Sequence, residues 1–430
     1  MNPVEALPRL AAYYDSSRNG YWIMDRAGDW IQINENSLRR HLRASGLASD
    51  TKRGELISEL EGALNDYQLE SAVAFAGPLA GYTKGVIEQG GQRALVTSSP
   101  RLIGPTNGEL PLLLKLMENL FCDPDTDQRP YMLGWLKVAI ESLLAGLRRP
   151  GQAVAMAGPR DSGKSLWQNL ITEMLGGRAA KPYRYMSGQT TFNADLFGAE
   201  HLMVEDECGS TDLRARREFG ARIKDFTVNE VQSCHAKNRQ AISLRPFWRL
   251  SISLNDEPEN LMILPPIDES LADKLMLLRT HHCEMPMPTN TSEGRTAFWA
   301  ALMGELPAFI GYLLRWQIPE EIRCHRFGVK TFQHPHLLDA IDTISPEFRL
   351  LSLIDAVVFP DPAPLESNIV TTAEALESRL INSQMSHEAR RLFSWNNACG
   401  TYLGRLASKR PERVQPNRNP RRREWCIKAQ

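Results

Sequence analysis

The chain has 430 residues, 42% apolar and 23% charged, with a formal net charge of -1. That length predicts about two to four domains. The seven cysteines (122, 208, 234, 283, 324, 399 and 426) are odd in number and form no C-x-x-C pair, which excludes a zinc ribbon and points to reduced thiols.

The opening Met1-Asn2-Pro3-Val4-Glu5 carries no signal-peptide pattern, and no apolar run approaches the ~18–20 residues that span a bilayer. The expectation is a soluble, cytoplasmic protein with no membrane partner. Residues 1–106 read as a mixed α+β region. Tyr21–Asp25 and Trp30–Ile33 flank Arg26-Ala27-Gly28-Asp29, a turn composition, so a hairpin is predicted there. A helix is predicted over Asn34–Leu47, with Leu38 and Leu42 on one face. The glycine-rich stretch from Gly77 to Pro105 predicts short strands and loops. Residues 107–150 read as a helical segment, with leucines at helical spacing over Leu110–Phe121 and Tyr131–Leu147.

Residues 151–315 carry the chemistry. Ala153–Ala157 is a short apolar run fit for a buried strand. It leads into Gly158-Pro159-Arg160-Asp161-Ser162-Gly163-Lys164-Ser165, which matches G-x-x-x-x-G-K-[ST] without a mismatch, and a helix-compatible segment follows. Glycines allow the tight turn that aims N–H groups at phosphate oxygens. Lys164 would neutralise the β- and γ-phosphates of ATP, and Ser165 would place its hydroxyl on Mg²⁺. A glycine-rich turn without a ligand is the competing reading, and the strand–loop–helix context argues against it.

About 40 residues on, His201-Leu202-Met203-Val204-Glu205-Asp206-Glu207 is an apolar run ending in acids. Such a strand can supply one carboxylate to the metal's water shell and one base for the attacking water. Asp206 is assigned to the metal and Glu207 to the base, with Glu205 a competitor for either role. Phe247–Leu254 is strand-like and ends at Asn255, whose amide can hydrogen-bond a γ-phosphate or a water. Between these strands lie Arg222, Lys224 and His235-Ala236-Lys237-Asn238-Arg239. The flanks 230–234 and 240–244 are predicted to pair as a hairpin with Lys237–Arg239 at its tip, a grip for a nucleic-acid backbone.

Trp299–Trp316 is read as a helix pair broken at Leu306-Pro307, and residues 316–344 as a linker. Residues 345–430 predict a small domain. Its helices are expected at Phe348–Phe359, at Ala375–Ile381 behind a capping box at Thr371–Glu374, and at Trp395–Ser408. Strands at Arg413-Val414 and Glu424–Ile427 would follow, joined by Asn417–Arg423. From Arg405 to Lys428, nine lysines and arginines stand against Glu412 and Glu424 only, a concentration that suits a polyanion. Three helices and a basic two-stranded wing is the order of a winged helix, with Arg421, Arg422 and Arg423 as backbone contacts. A disordered basic tail is the alternative.

A phosphate loop, an acidic strand, a basic hairpin and a strand ending in Asn, all within Gly158–Arg279, resemble the superfamily 3 helicases. These are AAA+-related enzymes, and the likeness is to the poxvirus and phage primase-helicase group, for its helicase part. Ile223-Lys224, His235-Ala236-Lys237, Leu254-Asn255, Pro266-Ile267-Asp268 and Asp273-Lys274 carry the resemblance. It implies an α/β P-loop core of AAA+ type, with Asn255 as sensor and Lys237, with His235 or Arg239, as the DNA-contacting tip. It further implies homo-hexameric rings on single-stranded or forked DNA that move 3′ to 5′, with ATP and Mg²⁺. No primase site is read in the chain, so any primase or replication protein it works with would be a separate chain, or the primase is absent. The family's arginine finger falls at Lys274, with Arg279 five residues on, and Lys lacks the planar fork that grips phosphate in two places. Arg222 or Lys224 would be a second charge acting on a neighbouring subunit. The function expected is an ATP-dependent DNA helicase or translocase of a phage, plasmid or mobile element. The alternative is a DNA-binding AAA+ ATPase that does not unwind, such as an initiator, loader or defence-type switch.

Overall fold

The computed structural model describes residues 11–429, apart from 125, 206–212, 283, 344, 360–366 and 418–421. It divides into two compact units, one ending at His334 and one beginning at Pro335.

In the first unit the predicted N-terminal hairpin is present, Gly20–Met24 pairing antiparallel with Trp30–Ile33. Asp25 and Asp29 close its turn on each other. Asp29 N donates to Asp25 Oδ1 at 2.7 Å and Asp25 N donates to Asp29 O at 2.8 Å. Ala12–Asp15 extends the sheet by pairing with Gly20–Met24 on one side and Ala72–Val73 on the other. The predicted helix runs Glu35–Ala44, capped by Asn34. A second helix, Glu59–Glu70, was not expected, because Gly62 and Asn65 weaken its pattern. Its Leu60, Leu64 and Tyr67 pack with Leu38, Leu42, Tyr21 and Ile23 in a small separate core.

The main core surrounds a sheet of five parallel strands: β1 (Ala153–Ala157), β2 (Ala179–Ala180), β3 (His201–Glu205), β4 (Arg249–Leu254) and β5 (Leu275–Arg279). Their order is β5-β1-β4-β3-β2. Every residue of β1 and β4 is buried, as expected of parallel strands covered on both faces. Helices Pro111–Phe121 and Arg129–Leu144, foreseen from their leucines, join Lys164–Met174 and Ser292–Arg315 in that covering. Phe121, Trp135, Trp167, Leu302 and Phe309 meet Val154, Met156, Met276 and Leu278 in one cluster. Parallel strands bring all their C-terminal ends to one edge, where α/β sheets bind ligands.

The break predicted at Pro307 does not occur. Ser292–Arg315 is one helix of 24 residues with Pro307 inside it. A proline there costs about 3 kcal/mol, and burial of Leu302, Leu306, Phe309, Ile310 and Leu313 on the core side offsets it. Pro307 O still accepts a hydrogen bond, from Thr106 N at 2.9 Å. This helix is long and apolar enough to cross a membrane, and here its apolar residues belong to the main core. Beyond it, Arg323–Cys324 pairs with Gly328–Val329. The chain then runs beside β5, with Leu277 N donating to Phe332 O and His334 N to Leu277 O, both at 2.9 Å.

The second unit holds five helices among the described residues: Pro335–Thr343, Pro346–Val358, Ala373–Ile381, Ser386–Leu392 and Ala398–Lys409. The two expected strands, Val414–Asn417 and Glu424–Lys428, pair antiparallel. A third strand not foreseen, Asn368–Thr372, completes the sheet on the other edge. It moves the helix cap by one residue. Thr372, the strand's last residue and paired opposite Glu424, is the cap, its hydroxyl accepting from Ala375 N at 3.2 Å. Leu350, Ile354, Leu376, Leu380, Tyr402, Leu403, Trp425 and Ile427 form this unit's core.

Candidate functional site

The phosphate-loop sequence folds as its spacing requires. It leaves the buried end of β1, turns with Asp161 and Gly163 at positive φ, and enters the helix at Lys164. Gly158 is set by close approach, since a Cβ there would lie 2.2 Å from both the carbonyl and the hydroxyl oxygen of Thr280. Gly163 is set by its backbone, φ +97, a region costly for any residue with a Cβ. No side chain caps the helix, which leaves its first-turn N–H groups directed at the loop. Arg160 and Asp161 point outward, both side chains 86% exposed. Ser165 is exposed as well.

Lys164 is 6% exposed. Its ammonium donates to Pro159 O at 2.7 Å, Gly158 O at 2.9 Å, Ser162 Oγ at 3.3 Å and Asn255 Oδ1 at 3.4 Å. A buried cation is stable only when acceptors such as these surround it, so the loop and its lysine hold each other. The contact with Asn255 is the central geometric fact of the site. The tip of β4 lies beside the phosphate loop because Leu254 pairs with Ala157 in register.

Of the three acids, Glu205 ends β3 opposite Ser253 of β4. Its carboxylate lies 3.0 Å from Lys181 Nζ, an ion pair that already occupies it. Asp206 and Glu207 lie outside the described residues.

The basic hairpin is formed. Gln232–Cys234 pairs antiparallel with Ile242–Leu244, with Lys237 and Asn238 exposed at the tip and His235 and Arg239 half-buried. Asn238 takes positive φ, and Arg239 N donates to Ala236 O at 3.2 Å to close the turn. One residue that sequence reasoning missed fixes its position. Asn193, 2% exposed, accepts from His235 N at 2.8 Å, donates its amide to Ser233 O at 2.9 Å and donates its backbone N–H to His235 O at 3.0 Å. These bonds tie the hairpin to the 3-10 turn Ala194–Gly198, which leads into β3.

No protein-family model matches the chain. No curated protein matches it either. Among solved structures, the chain superposes on the apo structure of the NrS-1 C-terminal region, residues 305–718, at TM-score 0.54 and 13% identity, covering 97% of this chain and 96% of that one. The A form apo structure of the same region gives TM-score 0.52 at 13% identity and the same coverage. The X-ray structure of JCV Helicase aligns over 57% of this chain and 69% of that one, with TM-score 0.23 and 14% identity. The chain therefore shares the mixed α/β fold of the NrS-1 C-terminal region along nearly its whole length.

The remaining charges assigned from sequence are distributed unevenly. Lys274 precedes β5 and sits at the sheet edge opposite the phosphate loop, since Leu275 pairs with Ala153 at the start of β1. Its ammonium is held by Asp273 at 2.5 Å and by Ser270 O at 2.7 Å. Arg279 ends β5 opposite Ala157, at the loop's own edge. Its backbone is fixed by buried Gln128, which accepts from Arg279 N at 2.8 Å and donates to Arg279 O at 2.9 Å. Lys224 is bound to Asp268 and Ser270. Arg222 stacks 4.3 Å over Tyr185 and donates to its hydroxyl at 2.9 Å. In the second unit Arg422 pairs with Glu424 at 2.8 Å, Arg423 lies 4.7 Å over Trp425, and Arg421 is outside the described residues.

Beneath the loop a closed polar ring joins the loop helix to β3 and β4. Gln168 Nε2 donates to Ser251 Oγ at 2.7 Å, Ser251 Oγ lies 2.8 Å from His201 Nε2, and His201 Nδ1 lies 2.7 Å from Thr172 Oγ1. Thr172 Oγ1 in turn donates to Gln168 O at 3.2 Å. With the proton on Nδ1, every hydrogen in the ring has an acceptor. Burial pushes the His201 pKa down to about 3. Between that value and the ordinary pKa near 6.5 the unfolded chain binds a proton that the native state refuses, so stability falls with pH across that window. At about 1.4 kcal/mol per pH unit, acidifying from pH 7 to pH 5 is expected to destabilise the first unit by about 2 kcal/mol through this residue. Urea unfolding of wild type and His201→Gln at both pH values checks it, and an equal pH dependence in both proteins would sink the assignment.

Proposed function

We propose that the chain is an ATP-hydrolysing motor of superfamily 3 helicase type that acts on single-stranded and forked DNA in replication of a phage, plasmid or mobile element. The observation that carries the reading is the meeting of Lys164 and Asn255 at one edge of a five-stranded parallel sheet, 3.4 Å apart, with the basic hairpin anchored to the element that leads into β3. The sheet order suits an AAA+-type core, and the fold shared with the NrS-1 C-terminal region agrees with it.

The residues present fit ATP and Mg²⁺. Gly158 leaves no room for a side chain where it meets Thr280, and the uncapped helix start offers N–H donors. Ser165 and Asp206 would hold the metal. When bound, the nucleotide and its Mg²⁺ supply a γ-phosphoryl group whose charge is partly neutralised for attack by water. Lys164 would exchange its loop carbonyls for phosphate oxygens. Asn255 would orient water or γ-phosphate from the tip of β4. Glu207 would take the water's proton, with Glu205 engaged by Lys181. Arg279, at the loop's edge of the sheet, suits a charge acting within the same subunit, and Lys274, at the far edge, suits one acting on a neighbour in a homo-hexamer. In the second unit, the order of helices and strands with an arginine-bearing β-hairpin fits a winged helix that adds a second DNA contact through Arg422 and Arg423. A soluble cytoplasmic motor with a separate primase completes the reading.

Nucleotide-driven motion of the hairpin requires different DNA affinity in different nucleotide states. Lys237→Ala is expected to keep basal ATP hydrolysis within about twofold and to lose DNA stimulation and strand displacement at least tenfold, since it removes a phosphate contact and leaves the loop intact. Normal unwinding of a forked substrate by Lys237→Ala would remove the hairpin assignment. DNA-stimulated hydrolysis without unwinding by the wild type would favour the alternative, a DNA-binding ATPase that loads or switches.

A further inference from the structure

A cavity of about 190 Å³ opens at the root of the basic hairpin, and the ATPase reading above gives it no role. Four segments wall it: the turn at Ser17-Arg18, the segment Ala74–Pro78 of the N-terminal region, the 3-10 turn at Ala194–Gly198, and the hairpin through Cys234, Ala236, Arg239, Gln240 and Ile242. Its apolar lining is Ala74, Phe75, Ala76 and Ile242. Its polar lining is Ser17, Arg18, Asp195 and Gln240, all exposed, and half-buried Arg239. Cys234 contributes a thiol whose pKa burial pushes up to about 12, so it stays neutral and behaves as a small apolar group.

The charges of this lining are not all spent within the protein. Arg18 is engaged, 3.6 Å from Asp15 Oδ2 and donating to Gln32 Oε1 at 3.2 Å. Among the described residues Arg239 and Asp195 enter no ion pair or side-chain hydrogen bond. An open cationic donor and an open anionic acceptor lining one cavity with apolar side chains and an aromatic ring match one class of ligand. That ligand is planar and heteroaromatic, with hydrogen-bond donors and acceptors on its edge and a phosphate outside. The volume is below the ~300–1,000 Å³ of a site that swallows a whole drug-sized molecule, and it suits a single base more than a nucleoside triphosphate.

We propose that this cavity receives one base of the single strand held by the hairpin, with Phe75 as its apolar wall, Asp195 and Arg239 reading its edge, and Lys237 on the adjoining phosphate. The inference rests on the hairpin's holding single-stranded DNA. It adds a mechanical consequence. The hairpin is clamped to the 3-10 turn by Asn193, and the cavity is walled by both of those elements and by the N-terminal segment. A base seated there holds the strand against the hairpin and the N-terminal segment together.

The test compares fluorescence-anisotropy titrations of full-length protein with a deoxyoligonucleotide and with the same strand built of abasic units, which keeps every phosphate and removes every base. Base stacking is worth about 1–3 kcal/mol per base, so wild type is expected to bind the natural strand about tenfold more tightly. Filling the cavity with Ala74→Phe, or from the 3-10 turn with Ala194→Phe, is expected to erase that difference while affinity for the abasic strand stays within about twofold. Thermal melting confirms that each variant is folded, and either one that folds is sufficient. Equal affinity of wild type for both strands, or discrimination that survives in the filled variants, overturns the base pocket while the hairpin reading stands. Binding of neither strand removes the hairpin reading and the pocket together. Free dAMP is titrated against Lys164→Ala protein to separate the second source of the same chemistry. Saturable binding lost on Ala74→Phe, together with equal affinity for the two strands, would assign the cavity to a free mononucleotide and overturn the strand proposal.

Discussion

Lys164→Ala is expected to lower the rate of ATP hydrolysis by at least about 100-fold, with or without DNA. The ammonium sits 6% exposed among two carbonyls, a hydroxyl and an amide oxygen, in a setting where charge acts with little screening. Removing one donor aimed at developing charge typically costs 10²–10³ in rate. The lysine also holds the resting loop, and its loss leaves Gly158 O and Pro159 O without that donor, a structural cost of about 1–3 kcal/mol. The two effects separate in measurement. Hydrolysis is followed by phosphate release, and the structural cost by thermal melting without nucleotide. A variant that melts normally and still hydrolyses ATP at a tenth of the wild-type rate or more would exclude the loop as the catalytic nucleotide site.

Asn255→Ala is expected to lower kcat about 100-fold while leaving KM for ATP within about threefold. Asn255 follows β4, whose Leu254 pairs with Ala157, so its amide stands at the mouth of the loop. A group that acts only on the attacking water or γ-phosphate contributes to the transition state and little to ground-state binding, which places its loss in kcat. Steady-state kinetics decide the matter. A raised KM with unchanged kcat would make Asn255 a binding residue and end its assignment as sensor.

The chemistry-bearing stretches were legible because each is local. A phosphate loop is a run of eight residues, Gly158 to Ser165, whose spacing is dictated by one turn and one helix start. The hairpin was legible from two short flanks around Lys237 to Arg239. The strand tip at Asn255 was legible from an apolar run that stops. Other features had no such signal. Pro307 looks like a helix break from sequence, and only burial on the core side of Ser292–Arg315 keeps the helix whole. The spacing Thr371–Glu374 reads as a capping box, and the helix that follows the strand Asn368–Thr372 starts one residue later, at Ala373 behind Thr372.

By itself the sequence marked the glycine-rich loop Gly158–Ser165, the strand His201–Glu205, the hairpin around Lys237 and the order in which they occur, since these depend on contacts within a few residues. The tertiary structure alone decided which of them meet. It put Asn255 beside Lys164 across 91 positions of sequence, and it placed Lys274 and Arg279 at opposite edges of the sheet. It also brought Asn193 to the hairpin across 42 positions and closed the His201 ring beneath the loop. The physical reason is the parallel register. Strands that run the same way collect all their ends at one edge, and which ends are neighbours follows from sheet order, a property of the packed chain that no single stretch of it carries.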